Sequence, residues 1–316
     1  MKIVITDYIN MEFVEEKKLF QSVGAQLEVT QCRTEEEVIE VSQGAIGLIN
    51  SEIPITRKII ESLPDLKVIA KYSIGVDNID VVAATENNVF VANVPDYCQE
   101  EVANHALALI MTLTQKIVAL DHSVKQGKWS FSEGAPLHRI STQTVGLISY
   151  GKIARNLASK LKAIGFQVIA YDPYYQKSNQ DASIELVSLE ELMRRSDVVS
   201  LHAPLIKETY HMINKDVLSL AKPNAIVINT GRGPVIKESD LIDALDTGKI
   251  AGAGLDVLEH EPIDVNHALL AMDNVIITPH AAFYSEESFQ ELKRKTALNI
   301  MDVLKGKKPR YSVNNF

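Results

Sequence analysis

Three residues of complementary chemistry stand out in the sequence. Arg232 lies between two glycines in NTGRGP, Glu261 in LEHEP, and His280 at the end of VIITPH. The planar fork of an arginine matches pairs of oxygens, so it can hold the carboxylate and carbonyl of a 2-oxo acid. A histidine can give or take the proton of the corresponding alcohol, and a nearby carboxylate orients the ring and raises its pKa. The hydride would come from a cofactor, with the protein supplying orientation. No rival arrangement competes: the sequence has no G-x-S-x-G elbow and no metal-ligand spacing among its carboxylates, histidines and cysteines.

Structural roles stand beside these functional ones. Glu261, before Pro262, could be a solvated turn residue, and Asp256 a helix or turn cap. His202 in LHAP reads as a structural or cofactor-edge histidine rather than an acid–base. Arg232 between Gly231 and Gly233 would be unusual as a merely structural arginine. His105, His122, His138, His211, His260 and His267 lie in no motif and read as ordinary surface or core residues.

All three chemical residues follow apolar runs. Runs at 145–148, 167–171, 198–202, 225–229, 252–255 and 275–278 read as strands, and ligands in parallel α/β sheets bind at the C-terminal strand ends. The first of these runs opens a strand–turn–helix–strand unit over 144–173. Its turn holds Gly151, and its helix at 152–164 carries Ile153, Leu157, Leu161 and Ile164 on one stripe. Gly165 stops that helix, and Asp172 closes the next strand. This is the layout in which a pyrophosphate rests on a helix N-terminus and the acid takes the ribose hydroxyls. A full fingerprint has glycines at 149, 151 and 154, but the chain has Ser149, Gly151 and Ala154. Alanine is accepted at the third position, whereas serine at the first departs from a turn that favours glycine. A ligand-free crossover would show the same elements. Asp172 lies 18 residues after Ala154 and would repel a 2′-phosphate, which favours NAD over NADP.

An earlier alternating block, with strands at 2–6, 27–30, 45–49, 67–71 and 89–92 and a first helix at 11–23, predicts a second parallel sheet. A long helix over 100–125 has a wide apolar face. Its small residues Ala103, Ala106 and Ala108 suit either the core or contact with a second subunit. Residues 127–139, with the only Trp at 129, read as a loop, and a final helix over 285–304 is long enough to return to the first block. The expected architecture is α/β with two doubly wound parallel-sheet domains. Residues 1–97 plus 285–316 form the first and 98–284 the second.

The 316 residues suffice for two cores, and 46% hydrophobic with 23% charged residues is an ordinary globular composition. A net charge of −9 argues against a nucleic-acid surface. No apolar run is long enough to cross a bilayer, and MKIVITDY enters a strand directly without a signal peptide. Cys32 and Cys98 read as reduced thiols, which with the rest predicts a cytoplasmic protein.

KYSIGVDNID (71–80), VSLHAP (199–204), INTGRGPVI (228–236), GAGLDVLEHEP (252–262) and ITPHAA (277–282) resemble the D-isomer-specific 2-hydroxyacid dehydrogenases, over essentially the whole chain. HAAFYSEES (280–288) and YDPYYQ (171–176) are most similar to the C-terminal-binding-protein and phosphoglycerate-dehydrogenase-like branch, whose C-terminal-binding proteins carry Trp where this chain has Phe283. The resemblance implies a flavodoxin-like substrate domain, a Rossmann NAD-binding domain and NAD as cofactor. Arg232 would bind substrate, Glu261 would orient the histidine, and His280 would be the acid–base. Ser73, Ile74, Gly75 and Phe283 would border the substrate, the 74–75 turn offering backbone N–H groups to its carboxylate. Tyr150, Gly151, Lys152 and Ile153 would lie at the pyrophosphate and Asp172 at the ribose. His202, Ala203, Thr230, Gly231, Asp256 and His280 would complete the cofactor side. The resemblance also implies a homodimer built through 100–125 and, with the chain ending at Phe316, no added regulatory domain. An alternative is an NAD(H)-sensing interaction protein with little turnover. A further one is the same chemistry on another small anion such as phosphite.

Overall fold

The computed structural model describes residues 1–8, 12–176 and 184–316. The chain forms two compact units, Met1–Cys98 with Ser285–Phe316, and Gln99–Tyr284.

The first unit alternates β1 (Lys2–Ile5), α1 (Val14–Gln21), β2 (Gln26–Val29), α2 (Glu35–Val41), β3 (Ala45–Asn50), α3 (Arg57–Glu61), β4 (Val68–Lys71), α4 (Val81–Glu86) and β5 (Phe90–Ala92). Its parallel sheet has the order β2-β1-β3-β4-β5, the flavodoxin-like winding. Strand β4 is buried along its whole length, as expected for a strand covered on both faces. Helices start where short polar side chains satisfy orphan N–H groups: Thr34 accepts from Glu37, Thr56 from Ile59 and Asp80 from Ala83. Helix α11 (Glu286–Leu304) begins with a capping box between Ser285 and Ser288 and packs on β4. The helix expected over 11–23 begins at Val14, and Met11 lies outside the described residues.

The second unit holds α5 (Gln99–Thr114), α6 (Ile117–Lys125), β6 (Thr144–Ile148), α7 (Lys152–Ala163), β7 (Gln167–Tyr171), β8 (Glu185–Leu186), α8 (Leu189–Arg195), β9 (Val198–Leu201), α9 (Lys215–Ser219), β10 (Ile226–Asn229), α10 (Glu238–Asp246), β11 (Gly252–Leu255) and β12 (Val275–Ile277). The sheet order is β12-β11-β10-β9-β6-β7-β8, all parallel. Counted from β6, this is the Rossmann winding, with its switch point between β6 and β9.

The single helix expected over 100–125 is instead two helices, α5 and α6, bent by 55°. Lys116 adopts a left-handed φ of 50°, which interrupts the helical ladder without a glycine or proline to announce it. Helix α5 packs on α7, β10 and β11, so Ala103 and Ala106 serve close packing in the core. Helix α6 leaves Ile117, Val118 and Val124 exposed. The 127–139 segment, expected to be a loop, contains a 3-10 turn at Phe131–Gly134, and Trp129 and Phe131 stand 90% and 91% exposed. No single described helix is long and apolar enough to cross a membrane.

Candidate active site

Strand register brings the polar strand-end residues of the second unit to one level. Ile148 pairs with Tyr171 and Leu201, Leu201 with Asn229, Asn229 with Leu255, and Leu255 with Ile277. One residue further on stand Ser149, Asp172, His202, Thr230, Asp256 and Thr278, along the C-terminal edge of the sheet. The Ser149–Gly151 turn and His202 flank the switch point, where such sheets bind ligands.

Gly151 precedes α7, and among the described residues, its chain neighbours aside, no atom lies within 4 Å of where its Cβ would stand. Among the described residues no side chain caps the first turn of α7, so its N–H groups remain donors for an anion. Lys152 is exposed, Ile153 packs against the core, and Tyr150 is buried edge-to-face on Tyr175 at 5.2 Å. Ser149 takes a left-handed φ of 69°, the conformation for which glycine is the usual choice. Asp172 ties this turn down, accepting the Tyr150 N–H at 2.8 Å on one oxygen and the Tyr174 N–H at 2.9 Å on the other. Across the switch point, His202 bonds Ser200 Oγ at 2.9 Å and Ala203 is buried. Burial pushes the His202 imidazole down to about 4, so it is neutral near pH 7 and unsuited to proton exchange there. Among the described residues Thr230 Oγ1 is buried without a hydrogen-bond partner. The open glycine, the uncapped helix start and this orphaned hydroxyl fit a bound dinucleotide.

The Arg232 turn is shaped by Asn229, which is fully buried. Its side chain accepts the Gly231 N–H and donates to the Arg232 carbonyl, both at 3.0 Å. An Asx turn at the head of NTGRG was the available sequence signal for this role. Arg232 Nη1 donates to the Gly231 carbonyl at 2.9 Å.

His280 Nδ1 lies 2.8 Å from Glu261 Oε2, and Glu261 Oε1 accepts the Leu258 N–H at 2.9 Å. An ionised carboxylate only accepts, so Nδ1 carries a proton and Nε2 is left to exchange one. The Glu261 hydrogen bond raises the His280 pKa against burial, Glu261 and Asp256 adding by charge and Arg232 opposing. Burial works against ionisation of Glu261, but the His280 and Leu258 hydrogen bonds and the charges of His280 and Arg232 prevail and hold its carboxyl below the usual range. Glu261 and His280 therefore act on each other's protonation, and Arg232 acts on both, as an acid–base site requires. Phe283 stands edge-on to His280, ring centroids 6.5 Å apart.

Asp256, 2% exposed, accepts the Thr278 hydroxyl at 2.6 Å and the Ala281 and Ala282 N–H groups at 2.8 and 2.9 Å. Its carboxylate braces the turn that carries His280, the capping role raised from sequence. Thr278 and His105, which the sequence did not single out, extend the brace: His105 Nε2 is 2.9 Å from Thr278 Oγ1.

In the first unit the loop after β4 is fixed through its carbonyls. Ser73 Oγ donates to the Gly75 carbonyl and Asn93 Nδ2 to the Ile74 carbonyl at 2.6 Å. Among the described residues, the Ile74 and Gly75 N–H groups donate to no backbone carbonyl.

Residues 107–282 match the family described as D-isomer specific 2-hydroxyacid dehydrogenase, NAD binding domain. A glyoxylate reductase from Korarchaeum cryptofilum is 37% identical over 265 residues, 83% of this chain and 80% of the relative. A D-3-phosphoglycerate dehydrogenase from Methanocaldococcus jannaschii is 37% identical over 99% of this chain, which spans 59% of that protein. The crystal structure of D-lactate dehydrogenase from Aquifex aeolicus, complexed with NAD and lactic acid, superposes with a TM-score of 0.89 at 29% identity, covering 99% of both chains. The chain thus belongs to the D-isomer-specific 2-hydroxyacid dehydrogenase family and is an NAD-dependent oxidoreductase.

Proposed function

We propose that this enzyme interconverts a 2-oxo acid and its D-2-hydroxy acid, with Arg232, Glu261 and His280 as the chemical residues. The observation that carries the assignment is the His280–Glu261 pair at 2.8 Å, with Arg232 close enough to influence both pKa values. A bound NADH would supply the hydride for the substrate's C2. The Arg232 fork holds the carboxylate and carbonyl oxygens, and the oxygen that gains charge takes the proton from His280 Nε2. Glu261 keeps Nδ1 protonated and steadies the imidazolium before transfer. In the reverse direction the neutral ring accepts the hydroxyl proton.

The remaining assignments follow the same edge. Tyr150, Gly151, Lys152 and Ile153 hold the pyrophosphate through the uncapped first turn, and Asp172 takes the adenine ribose. His202 and Ala203 border the cofactor, and Thr230 and Gly231 line its nicotinamide side. Asp256 contributes through the turn it braces. In the first unit we assign the N–H groups of Ile74 and Gly75, with Ser73, to the substrate carboxylate. Phe283 borders the substrate group.

A homodimer through 100–125 and its neighbours is part of the same reading, supported by the exposed apolar side chains of α6 and by Trp129 and Phe131. A cytoplasmic location accords with two cysteines that are both free. The sensor alternative finds no support among the relatives named above.

The test is NADH oxidation with a panel of glyoxylate, hydroxypyruvate, pyruvate and bulkier 2-oxo acids. Turnover with at least one member is expected. Inactivity with all of them, together with measurable NADH binding, would favour the sensor.

A further inference from the structure

The segments that carry Arg232 and Glu261 are tied together by two carboxylates used reciprocally. Glu259 Oε2 accepts the Glu238 N–H at 3.0 Å, and Glu238 Oε2 accepts the Glu259 N–H at 3.1 Å. An imidazole takes the second oxygen of each. His211 Nε2 is 2.5 Å from Glu259 Oε1, and His267 Nε2 is 3.0 Å from Glu238 Oε1. The four side chains are only 14–24% exposed, so these bonds are weakly screened by water.

Three backbone relationships connect this clasp to the chemical residues. Gly233, beside Arg232, approaches Leu258 so closely that a Cβ there would lie 1.7 Å from the Leu258 carbonyl oxygen. Leu258 in turn gives its N–H to Glu261. The His211 segment runs along the other side of the Arg232 segment. His211 N–H bonds Pro234 O at 2.8 Å, Ile213 N–H bonds Val235 O at 3.1 Å, and Lys237 N–H bonds Ile213 O at 2.9 Å. His211 itself is held at a left-handed φ of 52°, strain that surrounding bonds must maintain.

A patch serving stability alone would be simpler built from apolar side chains than from two partly buried carboxylates. We propose that Glu259 and Glu238, braced by His211 and His267, are positioning residues. They fix the 257–262 segment against the Arg232 turn and so hold Glu261 where it can bond His280. This inference rests on the assignment of His280 as the acid–base.

The test compares Glu259→Ala, Glu259→Gln, His280→Ala and wild type for kcat, KM, NADH affinity and the pH profile of 2-oxo acid reduction. Glu259→Ala should lower kcat by about 10²-fold, the scale of an ångström of misplacement. NADH affinity should stay close to wild type, while thermal unfolding shifts down because the Glu238 N–H and His211 lose their acceptor. Its alkaline limb should move to lower pH, because the Glu261 bond is the largest influence raising His280, with Asp256 adding and Arg232 opposing. Glu259→Gln, which keeps one acceptor oxygen, should fall between. If Glu259→Ala does not fold, Glu259→Gln and His211→Gln carry the same comparison. Wild-type kcat, or a lower kcat with an unmoved limb, beside an inactive His280→Ala overturns the inference alone. A fully active His280→Ala overturns the site assignment, and the inference with it.

Discussion

His280 Nδ1 stands 2.8 Å from Glu261 Oε2, while the backbone of His280 is held at a left-handed φ of 52°. A non-glycine residue there costs on the order of 1–3 kcal/mol. The Asp256 carboxylate keeps the turn in place through Thr278, Ala281 and Ala282, and the His280 N–H adds bonds to the Asp256 and Thr278 carbonyls. The ring is aimed from two directions, by the strained turn beneath it and the carboxylate beside it.

With His280 as the proposed acid, reduction needs its ring protonated, so kcat/KM for a 2-oxo acid should fall as pH rises through the raised His280 pKa, and oxidation should show the opposite limb. Glu261→Gln removes the largest cause of that raised value. Its reduction profile should therefore break at lower pH, with kcat reduced by about 10-fold or more. A profile that keeps the wild-type limb would assign it to another group.

His202 gives an independent pH signature. Burial holds it at about 4, against 6.5 for an unburied histidine. The unfolded chain binds the extra proton between these values, so stability should fall as pH drops from about 6.5 towards 4 and be unaffected by this group above that window. His202→Gln should flatten the decline in urea midpoints over that range. An unaltered slope would mean that His202 is hydrated.

Ser149 carries the left-handed φ that the fingerprint reserves for glycine, and its hydroxyl reaches Asp172 only at 3.5 Å. Ser149→Gly should therefore relieve about 1 kcal/mol of strain, raise Tm by about 2–4 °C and tighten NADH binding. Unchanged or weaker NADH affinity would show that the turn already accommodates the serine.

Asp172 holds the turn after β6 and, in the proposed site, also selects the cofactor. Asp172→Ala should weaken NADH binding by freeing the Tyr150 and Tyr174 N–H groups, yet narrow the preference for NADH over NADPH by removing charge. Equilibrium binding of both cofactors checks it. An unchanged ratio would refute the role in discrimination.

The strands and the edge residues were legible because each is a short apolar run followed at once by a polar residue, as in VSLH, VINTG, GAGLD and VIITPH. The break between α5 and α6 was not, because Lys116 turns left-handed in a stretch with no glycine, proline or cap. His211 and His267 read as ordinary because their partners Glu259 and Glu238 lie 48 and 29 residues away, with no period to connect them. Asp256 showed its polarity and its capping role but not its partners, since both oxygens are spent on backbone and a hydroxyl contributed by the next strand's turn. Tertiary hydrogen bonds between distant loops leave no local pattern.

The acid–base role of His280 is best tested by single-turnover reduction of a 2-oxo acid by enzyme-bound NADH, in wild type and His280→Ala at equal NADH occupancy. A loss of about 10²–10⁴-fold in the hydride-transfer rate is expected, with NADH affinity retained. Wild-type transfer by His280→Ala would contradict it.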